Sequence, residues 1–285
     1  MAQTILIAGA GYVGSRAAEL LIAAGHKVYV LRRKPKVPAG AEWIGADLLA
    51  PETLKNLPDC QHIVYCAAAD QSGEEAYERI YVNGLRNLLE AYRKQGLTPH
   101  AIFTSSTSVY SEASGDWVDE AHGILVDKGP SRFMVAAERY LQNGPWQSTI
   151  LRFGGIYGPQ RTYFLQRVWH RQEKMWLGAP LYSNRIHRED CARLIRFAIE
   201  DARALSQVWN AVDHEPAERN EVIRWMAEKL KVETQDLATT NDFSEIAHRG
   251  NKRISNQKLL AAGFTFLYPT YKEGYAELFA EVRGA

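Results

Sequence analysis

Cysteine is scarce in this chain, and neither charge is in excess. Among 285 residues the only thiols are Cys60, Cys66 and Cys191, and their spacing matches no metal-ligand pattern. Three thiols, an odd count, in a chain of this length give no sign of a disulfide framework and fit a reducing compartment. Basic residues number 34 and acidic residues 33, a net charge of +1, which argues against a polyanion-binding surface as the main business of the molecule. No nucleic-acid partner is therefore expected. No apolar run approaches the length of a membrane span, and MAQTILIAGAGYVG reaches its glycines before a signal-peptide core could form. The expected location is cytoplasmic, with no membrane partner. No HExxH, cysteine pair or carboxylate pair suggests a metal, so no metal site is expected.

What is present is a regular alternation of strands and helices. Thr4–Ala8, Lys27–Leu31, His62–Cys66, Ala101–Thr104 and Ser148–Arg152 read as apolar strands; Val13–Ala24, Val82–Lys94 and Arg132–Gln142 read as helices between them. Continuous apolar strands alternating with amphipathic helices imply a parallel sheet covered on both faces. The expected fold is α/β, a Rossmann-type doubly wound parallel sheet with a small C-terminal substrate lobe. Residues 1–155, completed by about 186–212, would form the dinucleotide domain; 156–185 and 213–285 would form the lobe. In that second half Gly154–Pro159 reads as a glycine-rich turn and Tyr163–Trp176 as a helix, with Trp169 and Trp176 shielding a pocket. Glu189–Asp201 and Glu221–Leu230 read as helices, Val208–Val212 as a strand, and Tyr271–Val282 as a terminal helix.

ILIAGAGYVGSRAAELLIAAG places strand, GxGxxG and helix in the order a phosphate cradle requires. Gly9 would make the tight turn, Gly11 would let the backbone approach a pyrophosphate, and Gly14 would allow helix and strand to pack closely. The helix start, with Tyr12 and Val13, then offers free N–H groups and a positive dipole end. At the end of the second strand, where NAD enzymes usually carry a carboxylate, the sequence reads VYVLRRKP. Arg32 and Arg33 suit a 2′-phosphate, so NADP is the expected cofactor and NAD the other one allowed.

With TSSTSVY at 104–110 added, the chain resembles the short-chain dehydrogenase/reductase superfamily, in its extended branch of NAD-dependent epimerases and dehydratases. The resemblance spans nearly the whole chain. GAD at 45–47 resembles a family Gly-x-Asp that would set Asp47 and Leu48 near the adenine. CAAA at 66–69 resembles the small residues lining the cofactor, here Ala67 and Ala68, and Asn83 in VNGLRNLLEA resembles the family's helix asparagine. LRFGGIYGP at 151–159, RIHREDCAR at 185–193 and KRISNQKLLAAGF at 252–264 resemble its later landmarks, and Ser105 falls beside the cofactor. Blander readings also exist: Asp47 or Asp190 as helix caps, Asn83 as a polar group satisfied by backbone.

The resemblance implies a tyrosine and a lysine four residues apart on one helix, with a serine holding the substrate oxygen. Ser106 takes the serine position. Aligning the helix through AAERYL puts Met134 at the lysine and Pro130 at the tyrosine. Neither can do the work: proline carries no transferable proton, and a thioether cannot depress a pKa. The chain therefore resembles the atypical members that keep the cofactor fold without the Tyr–Lys pair. Candidate catalytic residues are then Ser106, Tyr110 and Tyr157. Three functional readings stay open: an atypical oxidoreductase on a small or sugar-nucleotide substrate, an epimerase or dehydratase retaining tightly bound NAD, and a non-catalytic NADP-binding sensor or partner-binding protein. A homodimer is also left open.

Overall fold

In the computed structural model, which describes residues 1–71, 73–123, 125–245 and 250–284, the apolar runs become strands of one sheet. These are β1 (Thr4–Ala8), β2 (Lys27–Leu31), β3 (Glu42–Ile44), β4 (His62–Tyr65), β5 (His100–Ser106), β6 (Ser148–Phe153) and β7 (Val208–Ala211). The spatial order is β7-β6-β5-β4-β1-β2-β3 and every neighbouring pair is parallel. HIVY of β4 and STILRF of β6 are buried at every position, as strands covered on both faces must be. The order reverses between β1 and β4, so a crevice opens beyond their carboxyl ends.

Two helical layers enclose the sheet. On one face α1 (Tyr12–Ala23) packs on α4 (Arg188–Glu200), burying Ala17 and Leu21 against Leu194, Ile195 and Ala198. Arg16 of α1 reaches Glu189 of α4 at 2.7 Å. On the other face α2 (Leu85–Lys94) and α3 (Ser131–Asn143) bury Leu85, Leu88, Leu89, Val135 and Leu141. Each fully buried leucine or isoleucine contributes about 1.5–3 kcal/mol, so these layers dominate the stability. A third apolar cluster lies apart from the sheet, where α5 (Arg219–Leu230) meets Tyr163–Trp169 and the C-terminal helices through Leu165, Val168, Val222, Met226 and Tyr275. Among the described residues no helix is long and apolar enough to cross a membrane.

The structure departs from the sequence reading in places. The helix expected from Val82 is preceded by Glu74–Tyr77 and a π-helical stretch, Glu78–Gly84. The Tyr65 hydroxyl donates to the Ile80 carbonyl, and a Cβ on Gly84 would lie 2.7 Å from that hydroxyl. A side chain wedged into the helical ladder widens it in this way. The expected helix Tyr163–Trp176 stops at Trp169; Met175–Trp176 is instead a strand, parallel to Thr239–Thr240. Trp169 and Trp176 thus do not share a helix face. Within the supposed turn Gly154–Pro159, Gly155–Tyr157 is a strand paired with Arg185–His187. The terminal helix is two short ones, Tyr271–Ala276 and Phe279–Arg283. β3 was not foreseen, since three residues at a sheet edge are too few to show a period.

Candidate functional site

The glycines after β1 are required for two different reasons. Gly9 sits at φ +95, and a Cβ there would lie 2.5 Å from the backbone of Ala67. A Cβ on Gly14 would lie 2.2 Å from the Gly9 carbonyl oxygen. These two glycines let the turn, α1 and the end of β4 close upon one another. Gly11 is the opposite case, because a Cβ there meets nothing within 4 Å. Gly11 is also the N-cap of α1 and supplies no side-chain hydrogen bond to the first turn. The N–H groups of Tyr12, Val13 and Gly14 therefore face an open approach at the positive end of a 12-residue helix. A dinucleotide pyrophosphate fits this arrangement, and a nicotinamide dinucleotide would supply a hydride acceptor or donor.

Four adjacent strand ends bring most of the expected cofactor residues to one rim. From β2, Arg32 donates to the carbonyls of Ala10, at 3.4 Å, and of Lys36, while Arg33 pairs with Asp70 at 3.0 Å. Beyond β3, Asp47 accepts the Leu49 N–H at 2.9 Å in a turn of its own, and the buried Leu48 accepts from Asn87. Beyond β4 come Ala67, against Gly9, and the exposed Ala68. Asn83 lies on the π-helical stretch with its side chain exposed. Tyr12 turns away from the rim: its hydroxyl donates to the Pro159 carbonyl at 2.8 Å, and Arg188 lies 4.8 Å over its ring. Burial pushes this phenol up to about 12.

At the end of β5 the arrangement is a buried polar network. Ser105 donates to Glu138 at 2.6 Å, Glu138 pairs with Arg152 at 2.5 Å, and Arg152 donates to the Tyr110 hydroxyl at 2.7 Å. Tyr110 in turn donates to Asn210 at 2.8 Å. Glu138 and Arg152 have side chains only 1% and 6% exposed, so each charge depends on the other. Ser106 accepts the Ser108 N–H at 3.1 Å, and Ser131 donates to the Ser108 hydroxyl at 2.9 Å, so three hydroxyls gather where α3 begins. Pro130 is the N-cap residue of α3 and Met134 is buried in the core beneath it.

The two tyrosines expected as catalytic candidates, Tyr110 and Tyr157, are both buried. Tyr110 is 1% exposed, with its hydroxyl held between Arg152 and Asn210, and burial raises its pKa. Tyr157 belongs to the apolar cluster of the lobe, stacked on Tyr275 at 4.2 Å; its buried hydroxyl has no hydrogen-bond partner among the described residues and sits against Gly274. Burial raises that phenol as well. Of the catalytic candidates only Ser106 stands at the crevice. His187 caps α4, its Nδ1 accepting the Glu189 N–H at 3.3 Å, and burial holds its imidazole down. Asp190 caps no helix; its carboxylate takes the N–H groups of Leu267 and Tyr268 at 2.7 and 2.9 Å and pins the C-terminal segment. Sequence reasoning missed Arg152 and Asn210, whose partners lie on other strands and helices. Among the described residues no group of three or more histidines, cysteines or carboxylates could hold a metal.

The model of the NAD-dependent epimerase/dehydratase family matches residues 5–211, which include the sheet, the cradle and Ser106. The chain belongs to that family. A protein of Methylobacillus flagellatus, solved as a candidate NAD-dependent epimerase/dehydratase, is 34% identical with a TM-score of 0.81 and covers 99% of this chain and 100% of its own. Protein YeeZ of Escherichia coli K12 is 26% identical over 281 residues, 94% of this chain and 97% of that one. The UDP-glucose 4-epimerase of Thermus thermophilus, solved in complex with NAD, superposes with a TM-score of 0.77 at 23% identity over 99% of each chain. At that identity the likeness is one of fold.

Proposed function

We propose that this member of the family binds a nicotinamide dinucleotide in the crevice beyond β1 and β4, with a preference for NADP, and acts on a small or sugar-nucleotide substrate without a Tyr–Lys pair. The observation that carries the proposal is Gly11: two glycines are consumed by packing, while the third leaves open the path to an uncapped helix end. Arg32 and Arg33 stand at the strand end that borders a cofactor's adenosine, which supports the 2′-phosphate. Ser106, with Ser108 and Ser131 beside it, would hold a substrate oxygen by hydrogen bonds. Tyr110 and Tyr157 are both buried, and this specific observation favours the second reading, an NADP-binding sensor whose partner affinity follows the redox state.

Calorimetry with NADP⁺ and NAD⁺ tests the binding claim. Gly11→Val should abolish both while lowering the melting temperature only slightly, since its side chain meets nothing and the cost is that of a poorer N-cap, and Arg32→Ala with Arg33→Ala should weaken NADP⁺ binding at least tenfold and NAD⁺ binding little. Equal losses for the two cofactors would remove the preference, and retained affinity in Gly11→Val would remove the site. Loss of NADPH absorbance with carbonyl substrates separates the enzyme from the sensor.

A further inference from the structure

The lobe carries a second concave site, remote from the glycine cradle in its lining residues and built from three separate helix ends. A cavity of about 590 Å³ lies between the end of Tyr163–Trp169, the end of α5 and the last helix. Its lining holds no carboxylate: beside His170 stand the cations Arg171, Lys231 and Arg283. Its apolar lining is Trp169, Leu230 and Val232, the last two buried in the lobe. Arg171 pairs with Asp236 at 3.4 Å, and Arg283 donates to the Lys229 carbonyl at 2.6 Å. Among the described residues Lys231, Arg283 and His170 have no carboxylate within ion-pair distance.

The backbone beneath two of these cations is unusual. Both helices end in the same paired hydrogen bonds: Arg171 N–H to Val168 and Gln172 N–H to Arg167, then Lys231 N–H to Glu228 and Val232 N–H to Ala227. This ending needs one residue in the left-handed region, and glycine usually fills it. Here Arg171 at φ 57 and Lys231 at φ 58 fill it, and both line the cavity. Cations suit helix C-termini, but that attraction is served as well from the last turn, where no left-handed residue is needed. Two strained positions that both hold cations over one cavity call for a further reason.

We infer that this cavity binds a small phosphate ester carrying an aromatic ring. The phosphate would lie among Arg171, Lys231 and Arg283, and the ring would lie on Trp169 above Leu230 and Val232. Guanidinium and ammonium groups from three segments match the several oxygens of a phosphate, and the volume suits a ligand of mononucleotide size. The inference does not depend on what the glycine cradle binds.

The test uses the full-length protein with fluorotryptophan incorporated, AMP as probe, and fluorine resonances read during titration. The Trp169 resonance is identified by its absence in Trp169→Phe, so AMP bound in the cradle does not register. Saturable movement of that resonance is expected, at least tenfold weaker with adenosine and at least tenfold weaker in Lys231→Gly and Arg171→Gly. Because glycine suits the left-handed position, both variants should melt no lower than the parent, which separates lost binding from lost folding. An unmoved Trp169 resonance, equal binding of adenosine, or unaltered AMP affinity in the glycine variants would each overturn the inference. So would glycine variants that melt lower while AMP leaves Trp169 unmoved, since the cations would then serve only the helix ends.

Discussion

At the cradle end of the crevice the contacts that matter are between backbones, Gly9 against Ala67 and Gly14 against Gly9. At the Ser106 end they are between buried side chains, a chain of partners running from Ser105 through Glu138, Arg152 and Tyr110 to Asn210. The first kind of site leaves its mark in one short stretch of sequence, because a glycine at fixed spacing is the only residue that allows it. The second needs α3, β5, β6 and β7 to be in place before any of its partners meet. The Ser106 end also carries Pro130 at the start of α3 with Met134 buried beneath it, and the Glu138–Arg152 salt bridge stiffens its network.

Breaking the side-chain end should cost most. Glu138→Leu leaves Arg152 buried without its partner, and a loss of about 3–5 kcal/mol is expected in denaturant unfolding. A loss below about 1 kcal/mol would show that water reaches Arg152 and that the network is no core. Breaking the backbone end should cost less: Gly14→Ala forces a Cβ onto the Gly9 carbonyl oxygen, for a loss of about 1–3 kcal/mol, and dinucleotide binding should fall with it. The contrast with Gly11→Val, which should lose less stability because its side chain meets nothing, is the sharpest measure of the division of labour among the three glycines.

A pH scan should touch both ends equally, since it acts on the sheet they share. At the opposite, amino ends of β4 and β5, the ring nitrogens of His62 and His100 approach to 3.1 Å, and burial, helped by His26 near His62 and by His62 near His100, lowers both to about 4. Unfolded imidazoles take up protons near about 6.5. Between those values the unfolded chain binds more protons, so stability should be full above about 6.5, fall as pH drops towards about 4, and level off below. Unfolding free energies at neutral pH and at about pH 4.5 would show it, and His62→Gln with His100→Gln should flatten the slope; an unchanged slope would assign the effect elsewhere. The smallest change expected is Tyr157→Phe. Its hydroxyl has no partner among the described residues, so stability should shift by less than about 1 kcal/mol and any turnover should persist. If turnover vanished while the fold held, Tyr157 would return as the acid of this site.

The sheet, its parallel strands and the cradle were legible because each rests on local signals: apolar runs, glycine spacing and a helix start. Less legible were features set by contacts far apart in sequence. The π-helical stretch before α2 exists because Tyr65 of β4 inserts a hydroxyl there, and nothing in ERIYVNG announces it. Trp169 and Trp176 suggested one helix by their spacing, yet Arg171 adopts a left-handed conformation and ends it. Tyr110 and Tyr157 looked like rim residues because both follow apolar strands. Whether a side chain at a strand end turns to the crevice or to the core depends on its neighbours, and Arg152 and Tyr275 decide it here.

The strand order also has a consequence for how the chain assembles in time. After β1 and β2 pair, β4 joins the free side of β1, and β5, β6 and β7 then add outward one by one in the order in which they are made. During synthesis each emerging strand of that series meets an edge already built, so no strand need be threaded between two others. The late arrivals are Leu259, Phe264 and Phe266, which complete the apolar layer over α4. Until they dock, that layer is exposed, and this stage is where a nascent chain of this design is most prone to aggregate.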